Sequence, residues 1–177
     1  MPYLVTLVIL LGVLCLVNLA LTLGVIRRLR RYSDQLATQS GQGQGAILAE
    51  GALAPPYVAS ATDGSAVSRD LITEPVVVGF FSTGCDACHE ALPDFLTLAA
   101  AFPREQVLAV IVDRTGEAGP QRERLEPVAR VVVEDLGGPV ASALQVRAFP
   151  AFALVGGGGR ILASGLRLDQ VITLSRA

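Results

Sequence analysis

The sequence predicts an α/β domain with a mixed central sheet, preceded by one transmembrane helix. Three observations predict it. Residues 3–26 form a stretch without a charged side chain. Short apolar runs at 76–81, 107–112, 131–133 and 151–155 alternate with segments of helical spacing, the pattern of a layered α/β domain. The four glycines at 156–159 separate the last two apolar runs, and so short a turn joins antiparallel strands, which excludes an all-parallel sheet. Hydrophobic residues make up 51% of the 177 residues against 17% charged, too apolar for a disordered chain and richer than an ordinary soluble domain.

In chain order, the stretch at 3–26 is long enough as a helix to cover roughly 36 Å, which crosses a hydrocarbon core with some tilt. It lacks the charged start, short apolar core and small-residue cleavage site of a signal peptide, so an uncleaved anchor is expected. Arg27, Arg28, Arg30 and Arg31 follow it, and helical spacing runs on to about residue 38. The anchor with its Arg-rich extension is therefore assigned to 1–38. Residues 39–54, with glycines at 41, 43 and 45, are assigned to a flexible linker, and 55–177 to one globular domain.

Within that domain, 76–81 reads as a central strand buried on both faces, because it is continuously apolar and bounded by Pro75 and Gly84. Residues 86–101 read as a helix burying Leu92, Phe95, Leu96, Leu98 and Ala99, with a kink at Pro93. A second buried strand is expected at 107–112, a polar helix over 118–130 interrupted near Pro127, and a short strand at 131–133. A short helix at 139–144, strands at 151–155 and 160–164, and a closing helix at 168–175 complete the order.

Composition excludes several chemistries. All the basic residues are Arg, so lysine Schiff bases and P-loop lysines are absent, and the net charge of −2 gives no reason to expect nucleic-acid binding. One His cannot build a multi-histidine metal site, and no metal or other cofactor is expected. Chemistry concentrates in Cys85-Asp86-Ala87-Cys88-His89, where a buried strand turns into a helix. Two sulfurs three positions apart in a first helical turn can close a small disulfide ring, and the unpaired N–H groups there favour a thiolate on the first. Cys85 is expected to be the exposed attacking sulfur and Cys88 the buried resolving one. Asp86, His89 and Glu90 are candidate modulators. Asp86, between the sulfurs, opposes the thiolate and points to a reductant rather than a strong oxidant.

With these residues in view, the sequence resembles the thioredoxin superfamily, especially its membrane-anchored TlpA-like thiol-disulfide oxidoreductases. The resemblance runs from Pro55-Pro56-Tyr57 through Asp63-Gly64, Asp70-Leu71, the run at 75–82, the Cys-x-x-Cys, and Pro93 to Phe149-Pro150 before a strand. It implies a thioredoxin-like three-layer fold and exchange of a dithiol with protein substrates, fed by an upstream electron donor. It also implies that Pro150 is a cis-proline beside the disulfide and that Phe149 offers backbone to an extended substrate segment. Departures are specific. Gly84 stands where the family often has Trp. Gly79 holds the thioredoxin position of a buried carboxylate, and Ala91 replaces a TlpA-like glutamate, so proton transfer at Cys88 has only His89 or Glu90 as sequence neighbours.

Sidedness draws two opposed expectations. The arginine cluster, by the positive-inside rule, places the domain in the cytoplasm. The resemblance implies the extracytoplasmic face, and that side is taken narrowly. Other readings share the same residues. Cys-x-x-Cys-His is also the attachment signature of c-type haem, but beyond His89 only Met1 offers a familiar axial ligand. A peroxiredoxin-like peroxidase would want Pro where Val78 stands. A tethered interaction module with an idle dithiol is the non-enzymatic alternative.

Overall fold

The computed structural model describes residues 45–172, together with Tyr3, Leu10, Gly12 and Leu14. The chain divides into two compact units, Met1–Gly43 and Gln44–Ala177. In the first, the four described residues are helical and exposed. Nearly all of the expected anchor at 3–26, and the whole arginine cluster, lie outside the described residues. Among the described residues, no helix is long and apolar enough to cross a membrane.

The second unit opens on residues assigned to linker by the sequence reading, and from residue 45 onward they instead pack on the domain. Ile47 and Ala54 are buried, Leu53 bridges to Arg160, and the Leu48 N–H donates to the Leu144 carbonyl at 2.7 Å. An antiparallel hairpin follows, β1 (Val58–Ser60) and β2 (Ala66–Ser68), turning at Asp63-Gly64. Next come β3 (Val76–Ser82), α1 (Asp86–Ala99), β4 (Val107–Val112), α2 (Gly119–Leu125), β5 (Arg130–Glu134), α3 (Pro139–Ala143), β6 (Ala151–Val155), β7 (Ile161–Gly165) and α4 (Asp169–Ile172). The main sheet has the order β5-β4-β3-β6-β7, with β3, β4 and β5 parallel and β6 and β7 antiparallel to their neighbours. This is the mixed sheet that the glycine turn implies.

Every residue of β3, β4 and β6 is buried. Both faces of the sheet are covered, which is why these strands read as unbroken apolar runs rather than alternating ones. Val77, Phe81, Phe152 and Leu154 pack with α1 on one face. Val76, Val78, Phe80, Val110 and Ala153 pack with the hairpin and α3 on the other.

The two longer helices differ in detail from the sequence expectation. α2 stops at Leu125 rather than 130, because Val128, Ala129 and Arg130 already descend into β5, with Ala129 fully buried. α1 passes through Pro93, which sits exposed. Its buried residues are Cys88, Leu92, Phe95 and Ala99, while Leu96 and Leu98 are only half-buried. The end of the expected last helix, 173–175, lies outside the described residues.

Pairing places the chemistry. β3 and β6 run oppositely with Phe80 opposite Ala151, so the end of β3 meets the beginning of β6. Because β4 and β5 are parallel to β3, their ends at Val112 and Glu134 point the same way. The segments after β3, β4 and β5 and the segment before β6 thus gather at one end of the sheet.

Candidate active site

At that end, Thr83 and Gly84 carry the chain from β3 into α1. Gly84 has φ +70°, a backbone conformation that side chains with a Cβ avoid, and the turn it makes places Cys85 at the N-cap of α1. The Cys85 Sγ accepts the Cys88 N–H at 3.2 Å, so the sulfur occupies the place of a capping oxygen on an orphan helical donor. Such a position stabilises negative charge on that sulfur. Cys85 and Cys88 are paired as a disulfide with their Cα atoms 5.2 Å apart. Cys85 is partly exposed, whereas Cys88 is fully buried and its Sγ accepts the Ser82 N–H at 3.5 Å.

The Phe149–Pro150 peptide bond is cis, and the Phe149 carbonyl oxygen lies 3.7 Å from the Cys85 Sγ. The structure thus brings Cys85, Cys88, Phe149 and Pro150 together. Asp86, His89 and Glu90 are exposed on α1, and among the described residues none of their side chains makes a hydrogen bond. A proton exchanged at the buried Cys88 therefore has no carboxylate or imidazole hydrogen-bonded to the sulfur.

The space that a carboxylate would need is also filled. A Cβ at Gly79 would stand 2.6 Å from Cε2 of Phe95, whose ring packs against Phe81 and Phe152.

Two groups absent from the sequence reading hold this end of the sheet. The first is Thr83, buried one residue before the Gly84 turn. Its hydroxyl donates to Asp113 Oδ1 at 3.1 Å and accepts the Arg114 N–H at 2.8 Å, tying the cysteine turn to the segment after β4. Partial desolvation raises the Asp113 carboxyl, but the N–H groups of Thr115 and Gly116 and the Thr83 hydroxyl outweigh it and hold the group below its ordinary value. The second is Glu134, buried at the end of β5, whose two oxygens accept the N–H groups of Val140 and Ala141 at 3.0 and 2.8 Å. It caps α3, which runs directly into the segment ending at Phe149-Pro150. The sequence held a signal for this. Gly138-Pro139 opens α3 without a capping side chain, so an acceptor had to come from elsewhere.

Burial pushes the Glu134 carboxyl above its ordinary value, and the two amide donors only partly offset this. The folded state therefore keeps this proton to higher pH than the unfolded chain. Its contribution to stability is complete below the unfolded value and is lost as pH rises through the folded one. Glu134→Gln is expected to flatten the fall of stability with pH above the ordinary carboxylate range. It should also lower stability by about 1–3 kcal/mol at the acid end through the poorer cap, with the gap to wild type narrowing as pH rises. Denaturant unfolding between about pH 4 and pH 8 checks this; a variant curve parallel to wild type would refute it.

No protein-family model matches the chain, and no curated protein matches it. Solved structures do. The thioredoxin domain of a thiol-disulfide oxidoreductase from Bacteroides vulgatus is 27% identical with a TM-score of 0.58, covering 73% of this chain and 96% of that one. A thiol:disulfide interchange protein from a Bacteroides species is 28% identical with a TM-score of 0.54, covering 70% and 85%. A thiol-disulfide oxidoreductase from Bacteroides fragilis shares the fold at 18% identity, with a TM-score of 0.59 and coverage of 71% and 98%. The domain thus has a thioredoxin-like fold with a Cys-x-x-Cys pair at its strand-to-helix junction, and its structural neighbours are thiol-disulfide oxidoreductases of the thioredoxin superfamily.

Proposed function

We propose that this chain is a membrane-tethered thiol-disulfide oxidoreductase that reduces disulfides in protein substrates. The observation that carries the reading is the half-exposed Cys85 at the N-cap of α1, joined to a buried Cys88 and 3.7 Å from the carbonyl of Phe149. In the reduced state the Cys85 thiolate attacks one sulfur of a substrate disulfide. A bond forms between Cys85 and that sulfur, and the other substrate sulfur leaves as a thiolate. Cys88, as thiolate, then attacks the Cys85 sulfur, closes the internal disulfide and expels the second substrate thiolate. Two electrons pass from the dithiol to the substrate, and a donor dithiol must restore them. Phe149 and Pro150 present backbone to an extended substrate segment alongside Cys85.

The uncharged stretch at 3–26 supports tethering by a single span, with the domain on the extracytoplasmic face as the resemblance implies and against the arginine cluster. Labelling of intact cells with a membrane-impermeant thiol reagent tests the side: modification of the partly exposed Cys85 after reduction supports it, and protection until lysis reverses it.

The chemistry is tested by Cys88→Ser in the full chain. The substitution removes the resolving step but leaves the attacking sulfur, so disulfide-linked adducts through Cys85 are expected to accumulate and to disappear with dithiothreitol. A chain that traps no partner, and whose wild-type pair is inert to both dithiothreitol and oxidised glutathione, would sink the proposal.

A further inference from the structure

A cleft of about 280 Å³ opens between the end of β4, the segment after β5, and the run from α3 to Phe149. Its wall includes Val112, Leu136, Val146 and Phe149, and Phe149 is also the residue whose carbonyl lies against Cys85. The cleft and the sulfur therefore share one residue. Leu136 is 69% exposed, an apolar side chain left facing water at the mouth of the cleft. Arg147 is the one charged residue among those lining it, and its guanidinium makes no hydrogen bond or ion pair with a described residue. The size lies just below the roughly 300–1,000 Å³ of pockets that hold small molecules, and suits a single large side chain.

We infer that this cleft selects the protein substrate: it takes an apolar side chain next to the reacting cysteine, with an acidic residue beside it facing Arg147. The inference rests on the oxidoreductase reading above and adds the class of segment that is recognised. An apolar side chain entering here buries itself against Val112, Val146 and Phe149 and covers Leu136. A carboxylate at the rim meets an unpartnered guanidinium, which binds carboxylates through paired N–H donors. A neutral or basic segment gains neither contact. The walls are held in place by α3, and so by the Glu134 cap.

The test uses the full chain, reduced, in mild detergent, with disulfide-linked homodimers of single-cysteine peptides as substrates. One peptide carries Leu and Glu next to its cysteine, a second Leu and Lys, a third Ser and Lys; peptide thiol release is followed by chromatography. The Leu/Glu peptide is expected to react about tenfold faster than the Ser/Lys peptide, with the Leu/Lys peptide between them. Arg147→Glu is expected to reverse the order of the Leu/Glu and Leu/Lys peptides, a change that simple misfolding would not produce. Equal rates for all three peptides, or an order unmoved by Arg147→Glu, overturn the inference while leaving the oxidoreductase reading intact. Failure of every peptide and of 2-hydroxyethyl disulfide would instead remove that underlying reading. A concentration-dependent dimer abolished by Leu136→Asp, with peptide rates independent of dimerisation, would overturn the inference by assigning the cleft to a second copy of the chain.

Discussion

Cys85→Ser is expected to reduce disulfide exchange to the uncatalysed background, a loss of more than about a thousandfold. Serine keeps the size and the capping role at the start of α1, so the fold should be retained, but a hydroxyl forms no mixed disulfide. Cys88 cannot take over as attacking group, because it is fully buried against β3 and its sulfur faces the Ser82 amide. The two sulfurs are thus unequal by position rather than by chemistry. Reduction of a disulfide-linked peptide by the purified variant checks this, with circular dichroism confirming the fold. Retention of more than about a tenth of wild-type activity would show that Cys88 is reachable and that the assigned roles are wrong.

Gly79→Ala is expected to destabilise the domain by about 1–3 kcal/mol, although it adds one methyl group. That methyl would lie 2.6 and 2.8 Å from two ring carbons of Phe95 and 3.0 Å from the Phe81 ring. Phe95 cannot withdraw, since it is fully buried, edge-on to Phe81 with centroids 5.1 Å apart and stacked on Phe152 at 6.0 Å. Thermal unfolding should fall by roughly 3–10 °C. Shrinking the obstacle should recover part of the loss, so Gly79→Ala/Phe95→Leu is expected to be more stable than the sum of its two single changes. Strict additivity would mean that the ring yields freely. The same crowding explains why no buried carboxylate assists Cys88 from this position: an aromatic ring already occupies the volume.

Much of this was legible because burial on both faces writes itself into sequence. Strands β3, β4 and β6 are unbroken apolar runs, and α1 follows a strand with a Cys-x-x-Cys at its first turn. The hairpin was not legible. β1 is Val-Ala-Ser and β2 is Ala-Val-Ser, each three residues long, which is too short for any period to emerge. Residues 45–54 read as linker because they continue from the glycine run at 41–45, yet Ile47 and Ala54 find core contacts that only the tertiary fold supplies. The cis bond at Phe149–Pro150 could come only from resemblance, since an X-Pro bond is cis in about 5–6% of cases. The contacts of Thr83 with Asp113 and of Glu134 with α3 bring together residues whose spacing carries no local pattern. His89 and Glu90 looked available to the sulfurs by adjacency, but a helix sends neighbours to different faces, and both look outward.

The pairing of Phe80 with Ala151 acts as a ruler for the whole chemistry. Sliding β6 along β3 by two residues would return each side chain to its own face and leave the apolar layers largely satisfied. It would also carry the proline loop about 7 Å along the sheet, far outside its present reach of Cys85. A pair of residues inserted just before β6 could therefore leave a folded domain whose sulfurs have nothing to hold a substrate beside them.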